Sequence, residues 1–179
     1  MKTIDVEIEG IAALLQHRYP IEEQGENKKA GKKKNYVPVE EAEKACFRDK
    51  ETGELFEPSE HIFGALTRTA SGFNYDKKKT YKDVIKSGVL IEPDNLLLGT
   101  KSWDEIDTRR AVVQRGAVVR WRPRFNKWKL SFRIKIVDED NLSVRTVREI
   151  LDKAGSSCGI GDYRPRFGRF QVTKWEEQK

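Results

Sequence analysis

Acid–base chemistry near neutral pH needs a group that titrates there, and the chain offers two histidines, His17 and His61. Metal-free cleavage of RNA requires a proton acceptor near the 2′-hydroxyl and a donor for the departing 5′ oxygen. One histidine assisted by a lysine suffices, and His17 is followed by Arg18 and Tyr19. The plainer reading makes His17 the polar end of an apolar segment entering a loop. That reading is preferred, so no catalytic residue is assigned, with His17 the candidate should the protein prove to be a nuclease. His61 falls in the first turn of an expected helix and reads as an exposed helical residue. Asp138-Glu139-Asp140 precede a helix, where acids balance the dipole. Asp104, Glu105 and Asp107 have no histidine to join them. Cys46 and Cys158 lack metal-ligand spacing and read as free thiols. No metal site, no cofactor and no nucleophile–base set is expected.

A second kind of chemistry is anion recognition. Between Gly155 and Phe170 the chain reads GSSCGIGDYRPRFGRF. Gly159 and Gly161 allow positive φ and let backbone N–H groups come close to a ligand. Arg164, Arg166 and Arg169 add charge, and Tyr163 and Phe167 offer faces on which bases can stack. There is no G-x-G-x-x-G between a strand and a helix and no P-loop lysine, so the turn is not a nucleotide-binding fingerprint. YRPRF at 163–167 repeats WRPRF at 121–125.

The other basic element is residues 117–137, AVVRWRPRFNKWKLSFRIKIV. With a two-residue turn at Asn126-Lys127 the two arms form a hairpin that sorts the side chains by face. Val119, Trp121, Pro123, Phe125, Trp128, Leu130, Phe132, Ile134 and Ile136 share one face. Arg120, Arg122, Arg124, Lys129, Arg133 and Lys135 line the other. In this register Arg124 faces Lys129 and Arg120 faces Arg133, and like charges directly opposed are destabilising. From Arg109 to Lys135 there are ten Lys or Arg and no acid, whereas the whole chain is +6. A one-signed face on an otherwise slightly acidic molecule points to a polyanion.

The elements that position these residues follow from periodicity. Lys2 to Gly10 alternates strictly and is a half-buried strand. A short apolar stretch, residues 11–15, ends at Gln16-His17-Arg18 and Pro20. Residues 20–58 read as a basic flexible loop, with Lys28, Lys29, Lys32, Lys33 and Lys34, followed by a small insertion. That insertion is a short helix beginning at Pro38 and a hairpin turning at Thr52-Gly53. A helix capped by Ser59 buries Ile62, Leu66, Ala70 and Phe73; a short helix beginning at a Thr80–Asp83 capping box closes at Gly88. Val89 to Ile91 is a strand and residues 93–107 a long connection. Ser143 caps a helix that buries Val147, Ile150, Leu151 and Ala154, with Gly155 just past its end. Residues 169–175 are the last strand. The chain is therefore α+β, a single domain over 1–179. Its arrangement is ferredoxin-like (βαββαβ, RRM-like), with an insertion after the first strand and a glycine-rich loop near the C-terminus. The basic hairpin supplies its two middle strands.

A strand closed by a glycine, an apolar LL-Q-H segment, such a core and GIGDYRPRFGRF before a last strand resemble the RAMP superfamily. These are ferredoxin-like CRISPR-associated RNA-binding proteins, with phage and mobile-element relatives. The resemblance covers residues 1–18, 117–137 and 143–175. It implies binding of single-stranded RNA or DNA along the sheet face and glycine-rich loop, and side-by-side assembly with copies of itself or other subunits. It also implies that His17 matches the histidine that repeat-cleaving members use near the first helix.

The chain is 37% hydrophobic and 36% charged, and its 4 Trp, 8 Phe and 5 Tyr exclude global disorder. No membrane-span-length apolar run and no signal peptide are seen, so the expectation is a cytoplasmic protein with no membrane partner. The function expected is non-catalytic binding of single-stranded nucleic acid, RNA before DNA. The alternatives are a metal-independent endoribonuclease using His17 and a structural subunit whose basic face meets an acidic protein.

Overall fold

A computed structural model describes residues 1–19, 36–113 and 116–178. The lysine-rich stretch, Lys28 to Lys34, lies outside the described residues. In chain order the elements are β1 (Lys2–Gly10), β2 (Leu14–Leu15), α1 (Pro38–Lys44), β3 (Phe56–Pro58), α2 (Ser59–Ala70), β4 (Asn74–Asp76), β5 (Lys79–Thr80) and α3 (Lys82–Gly88). There follow β6 (Val89–Glu92), β7 (Asn95–Leu97), β8 (Glu105–Val113), β9 (Gly116–Phe125), β10 (Lys129–Ile136), α4 (Val144–Ser157) and β11 (Phe170–Glu177). The protein is α+β, and its pairings are antiparallel.

The central sheet has the strand order β11-β1-β10-β6. Period-two alternation puts Ile4, Val6 and Ile8 of β1 opposite Ile134, Phe132 and Leu130 of β10, all buried. Ile62, Ala65 and Leu66 of α2 and Val147, Ile150 and Leu151 of α4 close the same core. Ser143 caps α4 by accepting a hydrogen bond from Thr146 N at 3.0 Å.

The hairpin expected over residues 117–137 does not form. β9 leaves the central sheet and pairs with β8 and β2, while β10 pairs with β1 and β6. The place the hairpin's first arm was to fill is taken by β6, and residues 93–107 hold β7 and the start of β8 instead of a bare connection. For β10 the charges favour the observed partner. In the hairpin register Lys129 and Arg133 would have met Arg124 and Arg120; against β1 they meet Glu9 and Asp5. Arg133 also lies beside Glu92 of β6, and Lys135 pairs with Glu92 at 2.7 Å. The acids on the polar face of β1 make it the better partner.

Smaller differences have local causes. Ser59 is the first residue of α2 with Pro58 in the capping position, and Thr80 sits in β5, so no capping box forms. Gly155 is inside α4, where a Cβ would come within 2.3 Å of Phe170 O; it lets helix and last strand touch. The hairpin expected around Thr52-Gly53 is a tight turn with a single bridge, Arg48 to Leu55.

Candidate nucleic-acid interface

β8 and β9 form a two-armed ribbon whose base is held by β2, with Leu14 opposite Phe125 and Leu15 opposite Arg124. The ribbon register sets Glu105 opposite Arg124, Asp107 opposite Arg122 and Arg109 opposite Arg120. These six share one face, and the glycine-rich turn lies against it. The opposite face carries Trp121 and Pro123; Trp121 stacks at 6.0 Å from Tyr36.

The turn is positioned by β2. Asp162 N donates to Leu15 O at 2.7 Å, Gly168 N to Ala13 O at 2.8 Å and Ile160 N to Gly168 O at 2.9 Å. Gly161 has φ +72, and a Cβ there would lie 2.5 Å from Leu15 O; at Gly159, φ +70, it would lie 2.8 Å from Phe167 O. Both glycines are thus required by the chain's own backbone rather than by the approach of a ligand. The two similar pentapeptides share no conformation: 121–125 is strand and 163–167 is turn.

From this seat Asp162 reaches Arg122, accepting a hydrogen bond from its Nε. Arg122 is 5% exposed, and its Nη1 has no hydrogen-bond partner among the described residues, as is true of Arg124 Nε and His17 Nδ1. Burial works to raise the Asp162 carboxyl, but the Arg122 hydrogen bond and charge, with the Tyr163 N–H and His17, hold it below the ordinary range. Burial lowers the His17 imidazole; Asp162 opposes that, and the Arg120 and Arg122 charges add to it. His17 therefore sits in the same cluster as the arginines, neutral near pH 7.

Next along the chain is Tyr163. It has φ 58, a left-handed backbone uncommon outside glycine, and the residue is 44% exposed. The Arg109 guanidinium lies 5.2 Å from that ring's centre and 4.9 Å from that of Phe167; Arg122 lies 5.8 Å from the Tyr163 ring. Arg109 Nε is fixed by both carboxylate oxygens of Asp107, at 2.8 and 2.9 Å. Phe167 is buried under this stack, so of the two aromatic residues expected to meet bases only Tyr163 is available.

The expected basic residues thus divide. Arg120, Arg122 and Arg124 are brought together with Tyr163, although Arg122 is interior. Lys129, Arg133 and Lys135 lie on another sheet among acids and form no continuous face with them. Arg164, Arg166 and Arg169 stay on the turn, with Arg169 Nε bonded to Pro165 O at 2.7 Å. Arg109, Asp107 and Asp162 are the members that sequence reasoning missed. The signal for them was an acid two residues before an arginine on an alternating strand, and an acid beside the glycine-rich turn's only tyrosine. Among the described residues no group of three or more His, Cys, Asp or Glu is placed to hold a metal, and no helix is long and apolar enough to cross a membrane.

No family model matches the chain, and no curated protein sequence matches it. It is similar in structure to a chain in the cryo-EM structure of the Type III-B Cmr-beta bound to cognate target RNA, with a TM-score of 0.59 and 13% identity. The match covers 99% of this chain and 61% of that one, so this chain spans 61% of the other's length. At that identity the likeness is one of fold alone.

Proposed function

We propose that this chain binds single-stranded RNA without cleaving it, at the charged face of the β8–β9 ribbon and the exposed ring of Tyr163. The observation that carries the reading is Tyr163: an aromatic residue 44% exposed on a left-handed backbone, with the guanidinium groups of Arg109 and Arg122 5.2 and 5.8 Å from its ring centre. A base stacks where this ring is exposed, and its phosphates meet the half-buried Arg109, Arg120 and Arg124 while Arg122 stays interior. Residues held in sparsely populated backbone regions cluster at ligand clamps. The strand order β11-β1-β10-β6, with α2 after β1 and α4 after β10, supports a ferredoxin-like assignment, and the structural neighbour is a chain from the structure of Cmr-beta bound to cognate target RNA. By the same likeness the chain is a subunit of a CRISPR-type RNA-binding assembly or a phage relative of one, side by side with copies of itself or other subunits.

One observation favours a second reading, a metal-independent ribonuclease. His17 is held neutral in the same cluster, with Nδ1 unpartnered, and a neutral imidazole can accept the proton of a 2′-hydroxyl. A single experiment separates the two. Labelled oligouridylate is titrated with wild type and with Tyr163→Ala in chelator, and the RNA is then run on a gel. Binding weakened about 5- to 150-fold by the variant, from a stacking term of about 1–3 kcal/mol, with RNA intact, supports binding alone. Unchanged affinity in a folded variant removes Tyr163 from the site, and RNA cut by wild type but not by His17→Ala establishes the nuclease.

A further inference from the structure

On the other side of Tyr163 the chain enters a groove of about 350 Å³ between the end of α2, the last two turns of α4 and the glycine-rich turn. Arg68, Lys153 and Arg164 line it, and no acid does. None of the three has an ion-pair partner among the described residues. This is unusual for the helix they share a groove with: on α4 the preceding cations are matched at i+4, Arg145 with Glu149 and Arg148 with Asp152, both at 2.8 Å. For Lys153 the residue at i+4 is Ser157.

A helix dipole accounts for one cation only. Arg68 lies in the last turn of α2, where a positive charge is favourable, but α4 has no basic residue in its last turn and Arg164 is on no helix. Two of the groove's three hydroxyls are spent on backbone: Ser71 Oγ donates to Arg68 O at 2.6 Å and Ser157 Oγ to Lys153 O at 2.7 Å. What the groove presents is therefore three cations drawn together without a counter-charge, and a ligand anion relieves that repulsion.

We infer that this groove binds a phosphodiester of the same strand that stacks on Tyr163, so that the RNA crosses the glycine-rich turn between two cationic stations. Tyr163 and Arg164 are adjacent residues, one facing each station. The inference rests on the RNA-binding reading above. An acidic polypeptide is the competing occupant. RNA is favoured because Arg164 of the groove directly follows the exposed Tyr163 in the chain, and the groove has a ring of its own, Phe73, half-buried along its wall.

The test compares wild type with the triple variant Arg68→Ala, Lys153→Ala, Arg164→Ala on oligouridylate over a range of salt, with polyglutamate as a second probe. All three side chains are at least partly exposed, so the variant should melt like wild type, and Lys153→Glu alone serves as a milder check. Each phosphate contact on a single strand contributes about 0.7 to the slope of log affinity against log salt. Loss of three contacts should flatten the slope by about 2, which is about a hundredfold in affinity at 0.1 M salt if the curves meet at 1 M. An unmoved slope in a folded triple variant, while Tyr163→Ala still weakens binding, overturns the groove and leaves the ribbon site standing. Wild type that binds no oligouridylate at low salt overturns both. Polyglutamate binding that the triple variant loses, with the RNA slope unmoved, gives the groove to an acidic protein instead.

Discussion

Asp162→Ala should destabilise the fold through a residue it leaves intact. Arg122 keeps 6% of its side-chain exposure and Asp162 keeps 34%. Removing the carboxylate strands a buried guanidinium that already lacks a partner for Nη1. Breaking a fully buried ion pair from one side costs about 3–5 kcal/mol. Because water reaches a third of Asp162, about 2–3 kcal/mol is the appropriate expectation here. For a chain of this size that is a fall in melting temperature of about 4–12 °C. Replacing Arg122 by Met in the same background removes the stranded charge, so the double variant should be more stable than the sum of its parts. The pH dependence has a definite sign. The Asp162 carboxyl titrates lower in the folded protein than in the unfolded chain, so its stabilisation is fully present above about pH 4 and is lost as pH falls through the folded value. Wild type and Asp162→Ala should therefore differ most near neutrality and converge in acid. Thermal melts across pH measure both effects. A shift under about 2 °C at pH 7, or a gap that widens in acid, would refute the clasp between turn and ribbon.

Gly161→Val should lower the melting temperature by the equivalent of at least about 2 kcal/mol. The new side chain must adopt a left-handed backbone and displace Leu15 O; a variant as stable as wild type would mean that the turn is not seated on β2. Burial pushes the Cys46 thiol up to about 12, so native wild type and Cys46→Ser should consume a thiol reagent at the same rate at pH 8, and a faster wild type would place Cys46 at the surface.

The central sheet was largely legible because its signals are local. The strict alternation of β1, the Ser143 cap and the i, i+3, i+4 stripe of α4 each lie within one element. The partner of β10 was not legible in the same way. Asn126-Lys127 satisfies the geometry of a tight turn, and only a comparison with a strand 120 residues earlier shows the better match. Yet the clue was present. Asp5, Glu7 and Glu9 repeat with the period that Lys129, Ser131 and Arg133 require, so the acids of β1 mark the partner of β10, although β9 keeps Arg120 opposite Arg109 in its own pairing. The arginines of β9 and the tyrosine of the glycine-rich turn were identified from residue type alone. Their grouping was not, because Arg109 and Asp162 join it through contacts between a ribbon, a turn and a two-residue strand that no periodicity reports. The glycines of the turn were noticed for the right property, positive φ, but the space they leave is occupied by Leu15 and Phe167.

The excursion of β8 and β9 from between two neighbouring strands of the central sheet has an architectural consequence. Its base is clamped: β2 pairs with Arg124 and Phe125, and Trp128 donates its indole N–H to Ala12 O at 2.8 Å. Beyond that base the register from Arg110 opposite Val119 to Val113 opposite Gly116 belongs to the two arms alone. The outer ribbon can therefore change length without disturbing the core. Two residues added to each arm carry the tip about 7 Å farther and keep every side chain on its own face. One residue added to each arm carries it about half as far and turns the faces over beyond the insertion. The reach of the ribbon is thus an adjustable dimension of this fold, varied in steps of two residues while Tyr163 and the Arg122–Asp162 clasp stay where they are.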